Sequence, residues 1–454
     1  FLRMLGRIKT TMNTATRIAF VSEHASPVAL LGGTDAGGQN VYVDEVCRHL
    51  AARGYLVDVF TRRDSPDVPE VIEWAPGVRV VNVTAGPLAY RTKDALWPYM
   101  STFRDACLRF MEHHELQYDL LHSNFWMSGW VATELGRNLN IPVTHIFHAL
   151  GMTKRRHQGG ADTSPPSRIA VEMQVARDAD RLIAPCPSEQ RELVSDYRAQ
   201  PAKISLIPLA VNTKIFQPVP RVVARQQLGL SDEDFVIVYV GRVLPRKDIR
   251  NIVRALALLL RRGAASPLCS DIRLLVVGGE CSQPDPLVTP EIGELQRLAA
   301  GLGVAEQVQC FGNRQQDSLR YFYSAGDVVV TTPWYEPFGL TPLEGMACGR
   351  PVIGSAVGGI AYTIVDDETG FLVPARTPEA LTERLYQLLQ HPELGTRMGR
   401  AARQRVLREF TWPLVAARTS ELYEELLAEQ ALHSALFNVY RSPVVDAPSA
   451  GGGE

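Results

Sequence analysis

Short apolar runs recur along the chain with helical patterns between most of them, and they fall into two series. The first series is Arg17–Ser22, Leu56–Thr61, Val78–Val83, Leu120–His122, Val143–Phe147, Arg181–Pro185 and Ile204–Pro208. The second is Phe235–Val240, Ile272–Val277, Val308–Phe311, Val328–Thr331, Pro351–Ser355 and Gly370–Val373. Parallel strands joined by helices form doubly wound sheets that bind ligands at the strand carboxyl ends. The sequence therefore predicts an α/β protein with two such sheets.

The stretch Thr331–Gly349, TTPWYEPFGLTPLEGMACG, predicts a rigid loop and then a helix immediately after a buried strand. Pro333 and Pro337 exclude a helix within the loop, and Gly339 lets the backbone approach a ligand closely. Pro342 suits a first helical position, so we expect a helix from about Thr341 to Ala347. The unpaired N–H groups at its start would bind an anion.

Two carboxylates, Glu336 and Glu344, lie eight residues apart in this stretch. A carboxylate beside a phosphate would repel it, so these side chains are better suited to neutral hydroxyl groups. An anion site with two hydroxyl-binding carboxylates indicates a ligand that carries both a diphosphate and sugars, namely a nucleotide sugar.

The segment E-P-F-G-L-T-P-L-E resembles the E-x7-E motif of the retaining glycosyltransferases of family 4, which have the GT-B fold. The resemblance implies two Rossmann-like domains that face a central cleft, with a C-terminal helix that crosses back to the first domain. We expect an acceptor domain over 14–215 with the helix 413–435, and a nucleotide-sugar domain over 216–412. The linker is predicted within 211–234, and the extensions 1–13 and 442–454 are predicted to be disordered. Met12 is a candidate natural start.

A glycine-rich loop, Gly32–Asn40, lies between the first predicted strand and an amphipathic helix near Val41–Arg53. Glycines there permit close approach to phosphate, although a flexible turn is the simpler interpretation. The loop is not G-x-G-x-x-G and no acidic residue marks a dinucleotide ribose site, which argues against a dehydrogenase. The resemblance implies that Gly38 contacts the donor diphosphate and that Gln39 and Asn40 contact the acceptor.

Two histidines, His145 and His148, lie near the end of the strand Val143–Phe147. Residues three apart on a strand point to opposite faces, so a shared metal ion is not expected. We interpret His145 as a core residue. The resemblance implies that His148 lies against the donor sugar and supports positive charge near its C1 atom.

In the second series, Arg242 and Lys247 follow a strand at R-x4-K spacing, and both can reach one diphosphate. The family resemblance makes them the groups that neutralise the leaving diphosphate, and it places Arg314 at the uracil edge. The run Asp232–Asp234 would match a metal-binding D-x-D but precedes its strand, so no metal site is predicted. The remaining predicted donor contacts are Phe338, Gly339, Leu340, Glu336 for the sugar hydroxyls and Glu344 for the ribose.

Basic residues predict the acceptor pocket. The resemblance implies that Lys93 and Arg168 bind an acceptor phosphate, and Lys154 is near them. Two groups within the family are most similar: short bacterial sucrose-phosphate synthases, with Gln after the glycine pair, and the mycothiol-pathway inositol-phosphate glycosyltransferases. In the latter, Tyr and Thr help to hold the phosphate where this chain has Phe125 and Ala149. We therefore expect transfer of glucose from UDP-glucose to fructose 6-phosphate, with UDP-GlcNAc-dependent transfer to inositol phosphate as the alternative.

Other classes of protein fit less well. Glu336 and Glu344 could serve a glycoside hydrolase, but a hydrolase does not need Arg242, Lys247 and two phosphate loops. A catalytically silent nucleotide-sugar sensor stays open. The net charge of −2 among 454 residues gives no support for a nucleic-acid partner, and seven scattered cysteines fit a reducing cytoplasm. We expect small-molecule substrates, a UDP-sugar co-substrate, no tightly bound cofactor, no obligatory metal and no transmembrane segment, and we leave the oligomeric state open.

Overall fold

The computed structural model describes residues 15–28, 37–263 and 271–441. The predicted extensions 1–13 and 442–454, and positions 32–36 of the glycine-rich loop, lie outside the described residues. Among the helices described, none is both long enough and apolar enough to span a bilayer.

The first sheet has eight strands in the order β3-β4-β2-β1-β5-β6-β7-β8. Its strands are β1 Arg17–Val21, β2 Leu56–Arg62, β3 Val71–Ala75, β4 Val78–Val83, β5 Leu120–Asn124, β6 Val143–Ile146, β7 Arg181–Ala184 and β8 Ile204–Leu206. The chain runs outward from β1 in one direction and then restarts beside it with β5. At this change of direction a crevice forms at the carboxyl ends of β1 and β5. Doubly wound sheets usually bind their ligands in such a crevice.

Strand β3 was not predicted, and it pairs antiparallel with β4 at the edge of the sheet. All the other strand pairs in this sheet are parallel. The residues of β3 are half-buried or exposed, so they form no buried apolar run of the kind that marks a central strand. The sequence analysis therefore missed one antiparallel edge strand, and the predicted doubly wound parallel sheet is confirmed for the other strands.

Helices cover both faces of the first sheet. They are α1 Gly38–Ala51, α2 Met100–His113, α3 Trp126–Leu139, α4 Gly151–Gln158, α5 Arg168–Asp178 and α6 Pro187–Ser195. Helix α1 begins three residues before its predicted start, because Gly38 already has helical geometry. Buried side chains of α2, α3 and α5 pack against one face of the sheet, and those of α1 pack against the other.

The second sheet has six strands in the order β11-β10-β9-β12-β13-β14, and every pair is parallel. Its strands are β9 Phe235–Val240, β10 Ile272–Val277, β11 Val308–Phe311, β12 Val328–Thr331, β13 Val352–Ser355 and β14 Gly370–Val373. Its helices are α7 Arg221–Leu228, α8 Ile249–Gly263, α9 Pro290–Leu302, α10 Gln316–Ala325, α11 Leu340–Ala347, α12 Ile360–Thr363, α13 Pro378–Gln390 and α14 Pro392–Glu409. The crevice of this sheet lies between β9 and β12.

Helix α7 lies inside the segment that the sequence predicts to be a linker. Arg225 on this helix is fully buried, and its guanidinium bonds the Ala325 carbonyl at 3.0 Å and the Asp327 carboxylate at 2.8 Å. These bonds attach α7 to the second sheet. The predicted domain limits stay predictions.

The last helix, α15 Trp412–Arg441, crosses back to the first sheet, as predicted, and is longer than expected. Tyr423 on this helix shares a hydrogen bond of 2.6 Å with the ring of His122 on β5, and both residues are buried. Ser420 shares another of 2.8 Å with Tyr55, just before β2. The two series of the chain thus form two doubly wound sheets in the GT-B arrangement.

Candidate active site

The loops at the two crevices line one cleft of about 710 Å³ between the two sheets. This volume is in the range of sites that enclose a small organic ligand. The cleft lining contains every residue that the sequence predicts for the site: Gly38, Gln39, Asn40, Lys93, His148, Lys154, Arg168, Arg242, Lys247, Arg314, Glu336, Phe338, Gly339, Leu340 and Glu344. The structure therefore brings these residues together, and their individual roles stay predictions.

The start of α1 forms part of the wall on the first-sheet side. The Asn40 amide accepts a hydrogen bond from the Gly37 N–H at 3.0 Å and donates one to the Ser26 carbonyl at 2.9 Å. Asn40 is buried, so its side chain fixes the loop. Gln39 is less buried, and its amide nitrogen lies 3.3 Å from the Ser22 hydroxyl.

The two walls approach each other at Gly38. A Cβ atom at this position would lie 3.4 Å from the Leu340 side chain on the opposite wall. The residue predicted to contact the diphosphate from one side therefore faces the start of α11, the helix predicted to bind it from the other.

His148 follows β6 in a left-handed conformation, with φ of 59°. Its Nε2 atom is 3.0 Å from the Asn124 side-chain oxygen, and its ring packs edge-on against Tyr42. Burial, and secondarily the nearby His24, lowers the pKa of His148 to about 3, so its ring is neutral at neutral pH. His145 lies in the core, as predicted, with Nδ1 2.8 Å from the Ser123 hydroxyl.

Arg242 and Lys247 occupy the loop after β9, and the Tyr239 hydroxyl holds this loop by donating to the Arg242 carbonyl at 2.8 Å. The Lys247 ammonium forms an ion pair and hydrogen bond with the Glu336 carboxylate. Burial is the largest influence on Lys247 and lowers its pKa, although Glu336 favours the charged form. Burial would raise the pKa of Glu336, but Lys247 and Arg246 outweigh it and lower that pKa.

Helix α11 begins after Gly339, whose φ of 87° is one that side chains rarely adopt. Glu344 lies within this helix, and its carboxylate accepts a hydrogen bond from the Tyr323 hydroxyl at 2.6 Å. Burial raises the pKa of Glu344 to about 7. The first N–H groups of a helix have no partner within it, so the start of α11 offers donors on the cleft wall, and the same helix carries a carboxyl whose pKa is raised.

Arg314 lies on the second-sheet side of the cleft, in the loop after β11. Its Nη1 donates to the Ser282 carbonyl at 2.7 Å and the Asn313 carbonyl at 3.0 Å, which fixes the guanidinium against this loop.

The predicted acceptor cations are accompanied by carboxylates. The Lys154 ammonium lies 2.9 Å from an Asp162 oxygen and 3.8 Å from an Asp94 oxygen. Arg168 is buried and bonds Glu172 through Nε, Ser164 through Nη1 and the Ala149 carbonyl through Nη2. A guanidinium has five N–H donors, so two remain on Arg168 for a ligand.

Sequence reasoning missed several cleft residues. Arg246 lies beside Lys247, its guanidinium is 5.4 Å from the ring centre of Tyr335, and its Nη1 is buried with no partner among the described residues. Arg246 directly precedes Lys247, a predicted site residue, and this position could have identified it as a further cation of the cleft. Gly358 comes from a separate loop after β13, and nothing in the sequence connects it with Glu336. The run Asp232–Asp234 lies outside the cleft lining, and Asp234 is buried against Arg273 at 3.0 Å rather than solvated.

Two doubly wound sheets that share one cleft, with the start of helix α11 on one wall, form the arrangement of the GT-B class of glycosyltransferases. Residues 36–215 match the family model Glycosyltransferase Family 4, and residues 221–405 match that of the glycosyl transferases group 1. The chain belongs to glycosyltransferase family 4, as the E-x7-E resemblance implied.

Curated relatives include the D-inositol 3-phosphate glycosyltransferase of Kineococcus radiotolerans. It is 37% identical over 430 residues, which cover 92% of this chain and 97% of the relative. The enzyme of the same name from Acidothermus cellulolyticus is 37% identical over 419 residues, covering 92% of each chain. Among solved structures, sucrose-phosphate synthase from Thermosynechococcus elongatus superposes with a TM-score of 0.81 at 35% identity, covering 91% of this chain and all of that one. Anabaena HepE in complex with UDP and glucose shares the fold at 18% identity, with a TM-score of 0.68 over 90% of this chain.

Proposed function

We propose that this protein is a retaining glucosyltransferase that moves glucose from UDP-glucose to fructose 6-phosphate and so forms sucrose 6-phosphate. The observation that carries the proposal is the position of Gln39, Lys93 and Arg168 in the same cleft as the Lys247–Glu336 pair. A phosphorylated acceptor fits the two unused donors of Arg168. The similarity to the sucrose-phosphate synthase structure supports the same reading.

In the proposed reaction the donor diphosphate lies at the start of α11, between Gly38 and Leu340. Arg242 and Lys247 neutralise the charge that develops on the diphosphate as its bond to the sugar C1 atom breaks. The acceptor hydroxyl oxygen then forms the new bond to C1 on the same face, and its proton passes to the leaving phosphate oxygen. UDP leaves, and the configuration at C1 is retained.

Protein groups would hold the donor while this exchange takes place. Glu336, kept ionised by its basic neighbours, accepts hydrogen bonds from hydroxyls of the donor sugar. Glu344 binds the ribose hydroxyls, and neutral His148 lies beside the sugar. No tightly bound cofactor and no metal ion enters this scheme, so we expect full activity in the presence of EDTA.

A second candidate is transfer of N-acetylglucosamine from UDP-GlcNAc to an inositol phosphate. It is favoured by the curated relatives, which are named for an inositol 3-phosphate acceptor. Phe125 and Ala149 line the cleft where the resemblance expects hydroxyl groups, and neither side chain can bond a phosphate.

An acceptor screen tests the proposal. Purified protein is incubated with UDP-glucose, UDP-GlcNAc, ADP-glucose or GDP-mannose and with each sugar phosphate, and the products are identified by mass spectrometry. We expect disaccharide phosphate only from UDP-glucose with fructose 6-phosphate. A glycosylated inositol phosphate instead supports the second candidate. UDP release at the same rate with and without every acceptor contradicts both candidates.

Substitution of Lys247 tests the donor half of the proposal. Lys247→Ala removes a cation from the diphosphate and should lower kcat roughly 100- to 1,000-fold. Lys214→Ala is the matched control, because Lys214 is exposed and outside the cleft lining. Turnover near the wild-type rate in Lys247→Ala would refute the role given to this lysine.

A further inference from the structure

A carboxyl group on the cleft wall has no part in the scheme above. Glu189 lies in the first turn of α6, soon after β7, and is one of the residues that line the cleft. The residue is only 3% exposed, and its Oε1 atom is buried with no hydrogen-bond partner among the described residues. Buried polar groups in native proteins almost always have a partner. An unpartnered carboxyl on the wall of a cleft therefore points to a group of the ligand as the missing partner.

The charges around Glu189 have its own sign. Glu192, one turn further along α6, accepts a hydrogen bond from the Thr153 hydroxyl, and Glu172 on α5 is paired with Arg168. Burial is the largest influence on Glu189, and together with these two carboxylates it raises the pKa of Glu189 to about 8. At neutral pH most of the protein therefore carries a protonated Glu189, which can donate a hydrogen bond as well as accept one.

This setting decides which chemical group Glu189 can bind. No cation is among the described groups that influence its pKa, so a phosphate beside it would meet only like charge. The described residues also contain no group of three acidic, histidine or cysteine side chains that could hold a metal ion. The Cys186 thiol nearby stays protonated, because burial raises its pKa to about 12, and burial likewise raises the pKa of Tyr197, which donates to Glu172. A neutral hydroxyl group of a substrate is the remaining partner.

The start of α6 contacts the loop that carries Glu336. The thiol of Cys186, the residue before the helix, donates to the Pro337 carbonyl at 3.4 Å. Pro337 directly follows Glu336, the predicted partner of the hydroxyls of the donor sugar. Cys186 and Glu189 are three residues apart, a spacing that puts two side chains on one side of a helix, and the charge of Glu189 contributes to the raised thiol pKa. Glu189 therefore lies where the first-sheet wall approaches the proposed position of the sugar.

We propose that Glu189 is a donor-binding residue whose carboxyl donates a hydrogen bond to one hydroxyl oxygen of the donor sugar. The inference rests on the proposed transfer from a nucleotide sugar. Glu336 holds the sugar from the second-sheet side of the cleft, and Glu189 holds it from the first-sheet side. No bond is made or broken at Glu189, so its contribution is to the affinity for the donor and to the choice of sugar.

Steady-state kinetics of Glu189→Ala and Glu189→Gln test the proposal with the substrates that the screen identifies. We expect Glu189→Ala to raise the KM for the nucleotide sugar about tenfold at pH 7, the loss of one such hydrogen bond. The KM for the acceptor and the affinity for UDP should not change. Glu189→Gln keeps a neutral group that donates and accepts, and should remain close to wild type. Glu425→Ala is the control, because Glu425 is exposed on α15 and outside the cleft lining.

The pH dependence of the donor KM separates binding from a merely structural role. As pH rises through about 8, Glu189 loses its proton, can no longer donate, and gains a charge beside Glu172 and Glu192. The wild-type KM for the nucleotide sugar should therefore rise about tenfold between pH 7 and pH 9. That of Glu189→Gln should be constant, because an amide does not titrate. UDP affinity over the same range is the reference for groups that bind the nucleotide, Lys247 among them.

Deoxy analogues of the donor identify the partner of Glu189. Each analogue lacks a single hydroxyl of the sugar. For one of them, wild type and Glu189→Ala should have equal kcat/KM, because the hydrogen bond is already missing. For the others the roughly tenfold difference should persist.

Two failures are distinguishable. If the wild type transfers sugar from no nucleotide sugar, the proposed function fails and this inference fails with it. If the wild type is active, the role of Glu189 alone is overturned by any of three results. These are a wild-type donor KM in Glu189→Ala, a rise in the acceptor KM instead, or a wild-type pH dependence in Glu189→Gln. UDP binding and thermal melting establish that each variant is folded, and Glu189→Gln supplies the pH comparison if Glu189→Ala unfolds.

Discussion

Glu336 and Glu344 belong to one motif, yet their surroundings move their pKa values in opposite directions. Both are removed from water, which favours the protonated form. Around Glu336 the cationic neighbours Lys247 and Arg246 reverse this preference, and its pKa falls. Among the described residues, Glu344 has a hydroxyl donor, Tyr323, and no cation that lowers its pKa, so burial raises that pKa to about 7. One carboxylate is therefore permanently ionised at physiological pH, whereas the other titrates there.

The titration of Glu344 should be visible in stability. Its pKa rises from 4.5 in the unfolded chain to about 7 in the folded protein, so between these values the unfolded chain binds fewer protons. Its contribution to the free energy of unfolding is therefore largest below pH 4.5, falls as pH rises to about 7 and is constant above. The change is on the order of 3 kcal/mol.

Comparison with Glu344→Gln isolates this contribution, because the amide does not titrate. We expect the melting temperature of Glu344→Gln, measured relative to wild type from pH 5 to pH 8, to rise with pH by several degrees. Glu112→Gln, at an exposed position on α2, should show no such trend. A difference between Glu344→Gln and wild type that does not vary with pH would contradict the raised pKa.

At the scale of elements, the sequence predicted the central strands well and the edges poorly. Strands β9 and β10 have the predicted bounds because continuous apolar runs mark strands buried on both faces. Strand β3 lacks such a run, because an edge strand contacts only one neighbour and tolerates exposed side chains. Helix α7 was assigned to the linker because its burial depends on Arg225, a charged residue whose partners are about 100 residues away.

For the candidate site, the sequence predicted residues but not the contacts between them. Motif spacing identified Glu336 and Lys247, but their ion pair, 89 residues apart in sequence, depends on how two loops of one sheet fold together. The carboxylate partners of Lys154 and Arg168 could not be predicted either, because a sequence shows a cationic residue but not which acidic residue lies beside it in the fold.

A second loop supports the loop that carries Glu336. The Gly359 N–H donates to the Glu336 carbonyl at 3.2 Å. Gly358 has φ of 46°, and a Cβ atom there would lie 1.9 Å from the same carbonyl oxygen. That distance is shorter than any real contact, and its partner is backbone, which cannot rotate aside. The loop after β13 therefore determines where the Glu336 side chain lies.

Gly358→Ala should displace the Glu336 loop while both sheets persist. We expect kcat/KM to fall at least ~100-fold, since a shift of about 1 Å at a reacting group has that effect. The measurement is steady-state turnover, with circular dichroism to confirm the fold. Gly301→Ala on α9 is the matched control, because a Cβ atom there would meet no described atom within 4 Å apart from its chain neighbours and the adjacent helix backbone, and it should be fully active. Wild-type turnover in Gly358→Ala would show that this packing does not position Glu336.

At the scale of the whole molecule, the strand order changes direction within each sheet, which leaves a crevice in each. The two crevices meet in the cleft. The chain passes between the sheets near Val211 and returns near Thr411, and these two residues form a parallel bridge. Two adjacent crossings are where a hinge between the sheets would lie, so we expect the sheets to close on a ligand. A contact across the mouth of the cleft would then control how fully it closes.

Tyr335, next to Glu336, makes such a contact. Its ring stacks on His157 at 4.9 Å, and its hydroxyl accepts a hydrogen bond from the Gln158 amide at 2.5 Å, both at the end of α4. A stack and a hydrogen bond together contribute about 1–2 kcal/mol, enough to change the closed population about tenfold. Closure excludes water from the donor, so its loss should favour hydrolysis over transfer.

Tyr335→Ala should therefore release more UDP per molecule of glycosylated product than wild type does, while its affinity for UDP changes little. Tyr335→Phe, which keeps the stack and loses the hydrogen bond, should give an intermediate ratio. Small-angle scattering with UDP bound should show a larger radius of gyration for Tyr335→Ala, and Gln117→Ala, at an exposed position, should match wild type in both measurements. If the ratio of UDP to product and the scattering profile are both unchanged in Tyr335→Ala, closure does not depend on this contact, and water must be excluded by the walls of the cleft alone.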